Sequence, residues 1–397
     1  MGIALVAVAC GSSDDSMRGD GTPGSAIPGS ALRVGTGAIE AVKLFAIGEL
    51  EGPPEYAFGR VYSIVAVPDG GFYTCDLFDH TIRRYDSTGV FVRTVGRTGA
   101  GPGEYEGCYD IAIDVDGGIV VNDPPNGRLV RFTAADEPSD VIRVNVYGGL
   151  GGPGTFYVDR RGRYWRKAWI PTPDAMEYDL PAQMVIIDRR GRRVDSVQVP
   201  APGMSGGRGF GLGTNDGTYS AIPSDSMYAI GLDGAIVTAS PRRYHLKVVR
   251  GDRTLEFTRD DAAVRYADRE RAEWQAWREY LGNRNPQQQL APIPELKPFL
   301  RSLRMDELDR LWVQVHVVAE PRDIPPRSAG DARPLLTWRE RNTYDLFDSS
   351  SGGYIGRVAF PYATQLVATR GDRAWLIEEG PSGEQRIGVY ELRPAAR

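Results

Sequence analysis

Three histidines, His80, His245 and His316, are the first residues to weigh, because imidazoles are the usual ligands of a catalytic zinc. A tri-histidine centre needs all three rings within roughly 2.0–2.1 Å of one metal. Nothing in the spacing of these three makes them converge. Oxygen ligands come second. Asp76, Asn122, Asp123 and Asn126 stand at the ends of apolar, strand-like runs, where calcium could gather its about six to eight oxygens. Side chains of this kind at strand ends also satisfy the N–H groups of the following turn, and that structural role is the reading taken here. No cofactor is therefore expected. Calcium or zinc held by Asp76, His80 and Asp123 is the alternative. No His-Glu-x-x-His or Cys-x-x-Cys occurs. The glycines between Gly96 and Gly103 do not form a dinucleotide loop, because Pro102 and Glu104 accompany them and no helix opens there.

These residues lie within a repeat. Ser63-Ile-Val-Ala-Val-Pro-Asp69-Gly70-Gly-Phe-Tyr-Thr-Cys-Asp76 aligns without gaps on Asp110-Ile-Ala-Ile-Asp-Val-Asp116-Gly117-Gly-Ile-Val-Val-Asn-Asp123, 47 residues on. Each copy reads as strand, Asp-Gly turn, strand. Glycine supplies the positive φ that such a turn requires. Alternating runs Thr81 to Asp86, Val90 to Val95 and Arg128 to Phe132 follow, giving four antiparallel strands in under 50 residues, the size of one propeller blade. Weaker copies begin near Arg161-Gly162, Asp233-Gly234, Asp309-Arg310 and Asp372-Arg373, for six hairpin signals in all. A spare strand, Glu40 to Ile47, precedes the first unit, and the last unit is one strand short. Joining the two would remove an exposed sheet edge.

The fold class read from this pattern is all-β: a six-bladed β-propeller of four-stranded antiparallel blades with one inserted helix, at about 260–281. Residues 1–37 form a signal remnant and flexible tether, and residues 38–397 the propeller. Its insertions are a helical one over 260–298 and a Pro/Arg-rich loop over 320–334. Val264, Ala267, Trp274, Trp277 and Leu281 share one broad helical face, with Gly282 as the cap. The composition is globular, with 41% hydrophobic and 25% charged residues. The net charge of −5 argues against a nucleic-acid partner.

Residues 40–132 resemble the bacterial NHL-like six-bladed β-propeller lipoproteins. The likeness is carried by the strand, Asp-Gly, strand pattern ending in Asp, and by Gly96-Arg97-Thr98-Gly99-Ala100-Gly101-Pro102-Gly103-Glu104-Tyr105. Members of that family bind proteins or sugars or catalyse unrelated reactions, so fold alone implies little about function. In the peptidylglycine-amidating lyase, an NHL-type propeller, a zinc-ligating His follows the strand-end Asp by four positions, as His80 follows Asp76. The second unit has Gly127 at that place. Lactonases of the gluconolactonase type share the six-bladed form and use Glu, Asn and Asp around a central channel.

The N-terminus resembles a bacterial lipoprotein signal: Ala7-Val8-Ala9-Cys10 is similar to a lipobox, with Cys10 the residue to be acylated. Gly11 in the next position points to an outer-membrane or surface anchor. The expected location is the cell envelope, outer membrane or periplasm, with membrane contact through the lipid alone. In that oxidising compartment Cys75 and Cys108 form an even pair at neighbouring strand ends on one face, and a disulfide between them would add about 3–4 kcal/mol.

One face of a propeller gathers the loops after each second strand and the crossings between blades. Asp79, His80, Arg97, Glu104, Tyr105, Asn126 and Arg128 are the candidate ligand-binding residues there, with Trp169 a further aromatic. Glu104 also has a structural reading, tying down the Gly-Pro-Gly crossing. The functional expectation is an envelope-anchored binding module for a protein, peptide or glycan, rather than an enzyme. The alternative is a metal-dependent lyase or lactonase with its site at the central channel.

Overall fold

The computed structural model describes residues 30–144, 156–169, 182–199, 211–214, 217–220, 227–284, 292–324 and 332–396. Four antiparallel meanders of four strands follow one another along the chain. The first is Val61–Ala66, Phe72–Asp76, Thr81–Tyr85 and Phe91–Val95. The second is Asp110–Ile113, Ile119–Asp123, Arg128–Phe132 and Pro138–Arg143. The third begins at Phe156–Val158 and ends at Arg193–Val199; the fourth begins at Met227–Ile230 and ends at Arg253–Thr258. Gly70 (φ +87°) and Gly117 (φ +85°) turn the corner after the first strand of the first two meanders, the left-handed backbone that Asp-Gly was expected to supply.

The N-terminal strand and seven strands of the C-terminal part form one eight-stranded sheet. Leu300–Met305, Arg310–Val315, Thr343–Asp348 and Tyr354–Ala359 make one half. Thr364–Arg370, Arg373–Glu379 and Gln385–Pro394 make the other. The N-terminal strand Gly37–Ile47 stands between the halves. It runs antiparallel to Gln385–Pro394 along most of its length and pairs parallel with Tyr354–Ala359 at Gly37, Ala38 and Ile39. The spare first strand thus completes the last meander. The added bridge to the preceding one was not anticipated.

Second strands are sandwiched on both faces, so Phe72–Asp76, Ile119–Asp123 and Arg310–Val315 are buried along their whole length. The apolar core accordingly lies between neighbouring sheets. Tyr73, Cys75 and Ile82 of the first meander meet Ile111, Val121 and Val130 of the second. Phe72 and Tyr85 meet Trp375 and Val389 of the last.

The inserted helix, α1, is Asp268–Arg284, not 260–281. Residues 260–267 are held extended by the returning chain: the Lys297 N–H donates to the Val264 carbonyl, and Arg265 bridges Leu296. Val264 and Ala267 are therefore off the helix, and Gly282 lies inside it rather than capping it. Trp274 carries the buried face, packed with Tyr266, Ile293, Leu336 and Trp338. The second insertion is clipped by a short pairing of Glu320–Pro321 with Trp338–Arg339. No helix among the described residues is long and apolar enough to cross a membrane.

Candidate functional site

The first strand of each meander faces a common axis. These strands, with the equivalent Leu300–Met305 and Thr364–Arg370, line a cavity of about 670 Å3. That volume lies within the range of small-molecule pockets.

Ser63 and Asp110 hold the same position in the 47-residue repeat, the first-strand start, and in space they meet. Ser63 Oγ donates to Asp110 Oδ1 at 2.9 Å, and the Ile111 N–H donates to the same oxygen at 3.0 Å. Asp110 Oδ2 is buried and has no partner of hydrogen-bonding geometry among the described residues. Burial pushes the Asp110 carboxyl up to about 7 from its ordinary 3.8, with Ser63, the Ile111 N–H, Arg304 and the Phe156 N–H offsetting part of the rise. Near neutral pH this group is divided between acid and carboxylate.

Arg304, on the strand Leu300–Met305, lies within electrostatic reach of Asp110, Tyr157 and Tyr344. Its one hydrogen bond among the described residues runs from Nη2 to the Leu366 carbonyl at 3.2 Å, and no carboxylate comes within ion-pair distance. Burial lowers its pKa from the usual guanidinium value, the mark of a cation short of counter-charge. Tyr157 and Tyr344 line the same cavity, and their hydroxyls carry no hydrogen bond among the described residues. Their pKa values are raised, chiefly by burial.

Of the residues offered for the alternative metal reading, Asp76 and Asp123 are taken up by the folded turns. Asp76 is fully buried and accepts the N–H groups of Gly59, Arg60 and Phe78 at 2.8–2.9 Å. Asp123 accepts from the Glu106 N–H, Asn126 Nδ2 and Arg128 Nε. His80 has φ +52°, and Gly127, at the matching place in the second meander, has φ +59°. That position is a left-handed turn residue, and a histidine tolerates it better than most. His245 faces Glu256 and His316 faces Glu340, so the three histidines do not converge. Among the described residues no group of three or more His, Cys, Asp or Glu is arranged to hold a metal.

The candidate binding residues also serve the fold. Tyr105 is fully buried, its hydroxyl donating to the Val95 carbonyl and accepting from the Ile82 N–H. It is a core residue and offers a ligand no surface. Arg128 is spent on Asp123 and on the carbonyls of Gly99, Ala100 and Glu104. Asn126 bonds Asp123. Glu104 accepts from the Gly101 N–H and from Arg97, anchoring the crossing. Asp79 is tied to Thr81 and Arg83, which leaves Arg97 the most exposed of the set. Cys75 and Cys108 are joined in a disulfide, both buried. Cys10 lies outside the described residues, as does the side chain of Trp169.

A second ionic cluster escaped sequence reasoning. Lys297 Nζ, fully buried, pairs with Glu270 of α1 at 2.7 Å and Glu340 at 2.9 Å. Glu340 also holds His316 Nδ1 at 3.1 Å. Burial lifts Glu270 to about 7, with Lys297 opposing, whereas His316 and Lys297 hold Glu340 well below the usual range despite its burial. The scarcity of lysine, four in the chain, was the one available signal. This cluster fastens α1 to the sheet.

Residues 47–166 match the model of a family described as a 6-bladed beta-propeller. No curated protein matches the chain. Among solved structures, the chain is similar to an exported protein of Bacteroides fragilis (11% identity, 92% of this chain and 97% of that one, TM-score 0.49). It is also similar to a duf4221-family member of Bacteroides vulgatus (11%, 91% and 100%, 0.49) and to virginiamycin B lyase of Staphylococcus aureus (11%, 84% and 94%, 0.41). Likenesses at this level say nothing about activity. With the family match and the sheet order, the chain is a β-propeller built mainly of four-stranded sheets.

Proposed function

We propose that the chain is an envelope-anchored, six-bladed β-propeller that binds a ligand in its central cavity. The eight-stranded sheet counts as two blades, closed by the N-terminal strand. The ligand is a small polar molecule or the end of a peptide or glycan. One observation carries this reading: the axial cavity holds polar groups with unspent hydrogen-bonding capacity, chiefly Asp110 Oδ2 and the Arg304 guanidinium. Buried polar groups are normally satisfied, so such groups around a cavity mark a site that solvent or ligand completes. The outer loops give weaker support, since their polar side chains are used to hold turns.

The test is a thermal-shift screen of small polar compounds on protein beginning at residue 30, with hydrogen exchange on each hit. The expected result is protection of the first strands, residues 61–66, 110–113 and 300–305. Hits that protect only residues 96–105, or no hits at all, would overturn the cavity reading.

A further inference from the structure

The unspent groups of the cavity differ in kind, and together they specify a chemistry. Arg304 offers a guanidinium with no carboxylate within ion-pair distance among the described residues. Beside it stand the unused hydroxyls of Tyr157 and Tyr344. Asp110, 5% exposed and within electrostatic reach of Arg304 and Tyr157, presents one unpartnered oxygen. The other lining carboxylates are used, Asp114, Asp159 and Asp306 on arginines and Glu307 on the Gly371 N–H, so these donors make a wall that calls for an oxygen-rich ligand with negative charge. Guanidinium meets a carboxylate through two parallel hydrogen bonds, and that geometry is favoured over a lone point contact.

We infer that the cavity takes a small sugar acid, its carboxylate on Arg304 and its hydroxyls shared among Asp110, Tyr157 and Tyr344. The inference rests on the cavity reading above and narrows it to a ligand class. A neutral sugar leaves Arg304 without counter-charge. An α-amino acid places an ammonium in a wall already carrying donors. Asp110 suits a polyol in either state: its carboxylate accepts from a ligand hydroxyl, and its acid form donates to a ligand oxygen.

Isothermal titration with D-glucuronate, D-glucose, L-glutamate and inorganic phosphate tests this, with hydrogen exchange on any binder. The expected result is glucuronate binding that protects the first strands and weakens roughly tenfold or more in Arg304→Gln. Tyr157→Phe, which keeps the ring, should weaken it by a few-fold and serves if Arg304→Gln fails to fold. Glucose binding as tightly as glucuronate, or glutamate or phosphate protecting the first strands where glucuronate does not, would overturn the sugar-acid inference and leave the cavity reading standing. If none of the four protects the first strands and a wider screen also finds no such compound, both fall.

Discussion

Asp110 gives the sharpest quantitative expectation. Its carboxyl titrates at about 7 when folded against an ordinary value of 3.8. An acid whose pKa rises on folding binds more protons in the native state, so its ionisation costs stability as pH climbs. The cost begins near the unfolded pKa and levels off above the folded one. Over the full interval it amounts to about 4 kcal/mol, at about 1.4 kcal/mol per pKa unit. By the same relation about 2 kcal/mol has accrued at pH 5 and about 4 kcal/mol at pH 8. Asp110→Asn removes the titration, keeps an oxygen for Ser63 and the Ile111 N–H, and places an amide where Oδ2 is unpartnered. The variant should therefore gain on the wild type by about 2–3 kcal/mol between pH 5 and pH 8. Urea unfolding of both proteins at several pH values in that window measures it. Glu270 titrates in the same range, but it is common to both proteins and cancels in the difference. A stability difference independent of pH would refute the argument, because it would mean that Asp110 ionises in the cavity without penalty.

Three further perturbations follow from other sites. Lys297→Met strands Glu270 and Glu340 without their shared cation, and it should cost about 3–5 kcal/mol and expose α1 to protease; a loss under about 1 kcal/mol would show that the cluster is solvated. Reduction of the Cys75–Cys108 bond opens a loop of sequence separation 33 and should remove about 4 kcal/mol, while a thiol count in denaturant should find neither of these sulfurs free before reductant. His80→Gly should leave stability unchanged or raise it by up to about 1 kcal/mol, since it relieves a left-handed backbone at the cost of unfolded-state freedom; a clear loss would assign the imidazole a role beyond the turn.

The local elements were legible because their signals are local. Asp-Gly turns, alternating strands and the 47-residue offset between Ser63 and Asp110 each depend on a few adjacent residues. The start of α1 was not, because tertiary pairing won: the chain at residues 295–297 returns beside residues 264–266 and holds them extended, against a helical apolar spacing. The partners of the turn residues were not legible for a related reason. Asp, Asn and Arg at turns resemble ligand chemistry in sequence, but Asp76 is consumed by backbone N–H groups, Asp123 by the Glu106 N–H, Asn126 and Arg128, and Arg128 by Asp123 and three carbonyls, partners that only the folded turn presents.

The amino-acid sequence by itself determined the strand and turn pattern, the repeat and the all-β class, since hydrophobic period and turn chemistry act over a few residues. Tertiary structure decided which polar side chains remain unspent. Ser63 meets Asp110 across two meanders, and Arg304 reaches the same cavity from a strand nearly 200 residues further on. Whether a polar group is satisfied depends on every neighbour in three dimensions, and a linear pattern does not carry that information.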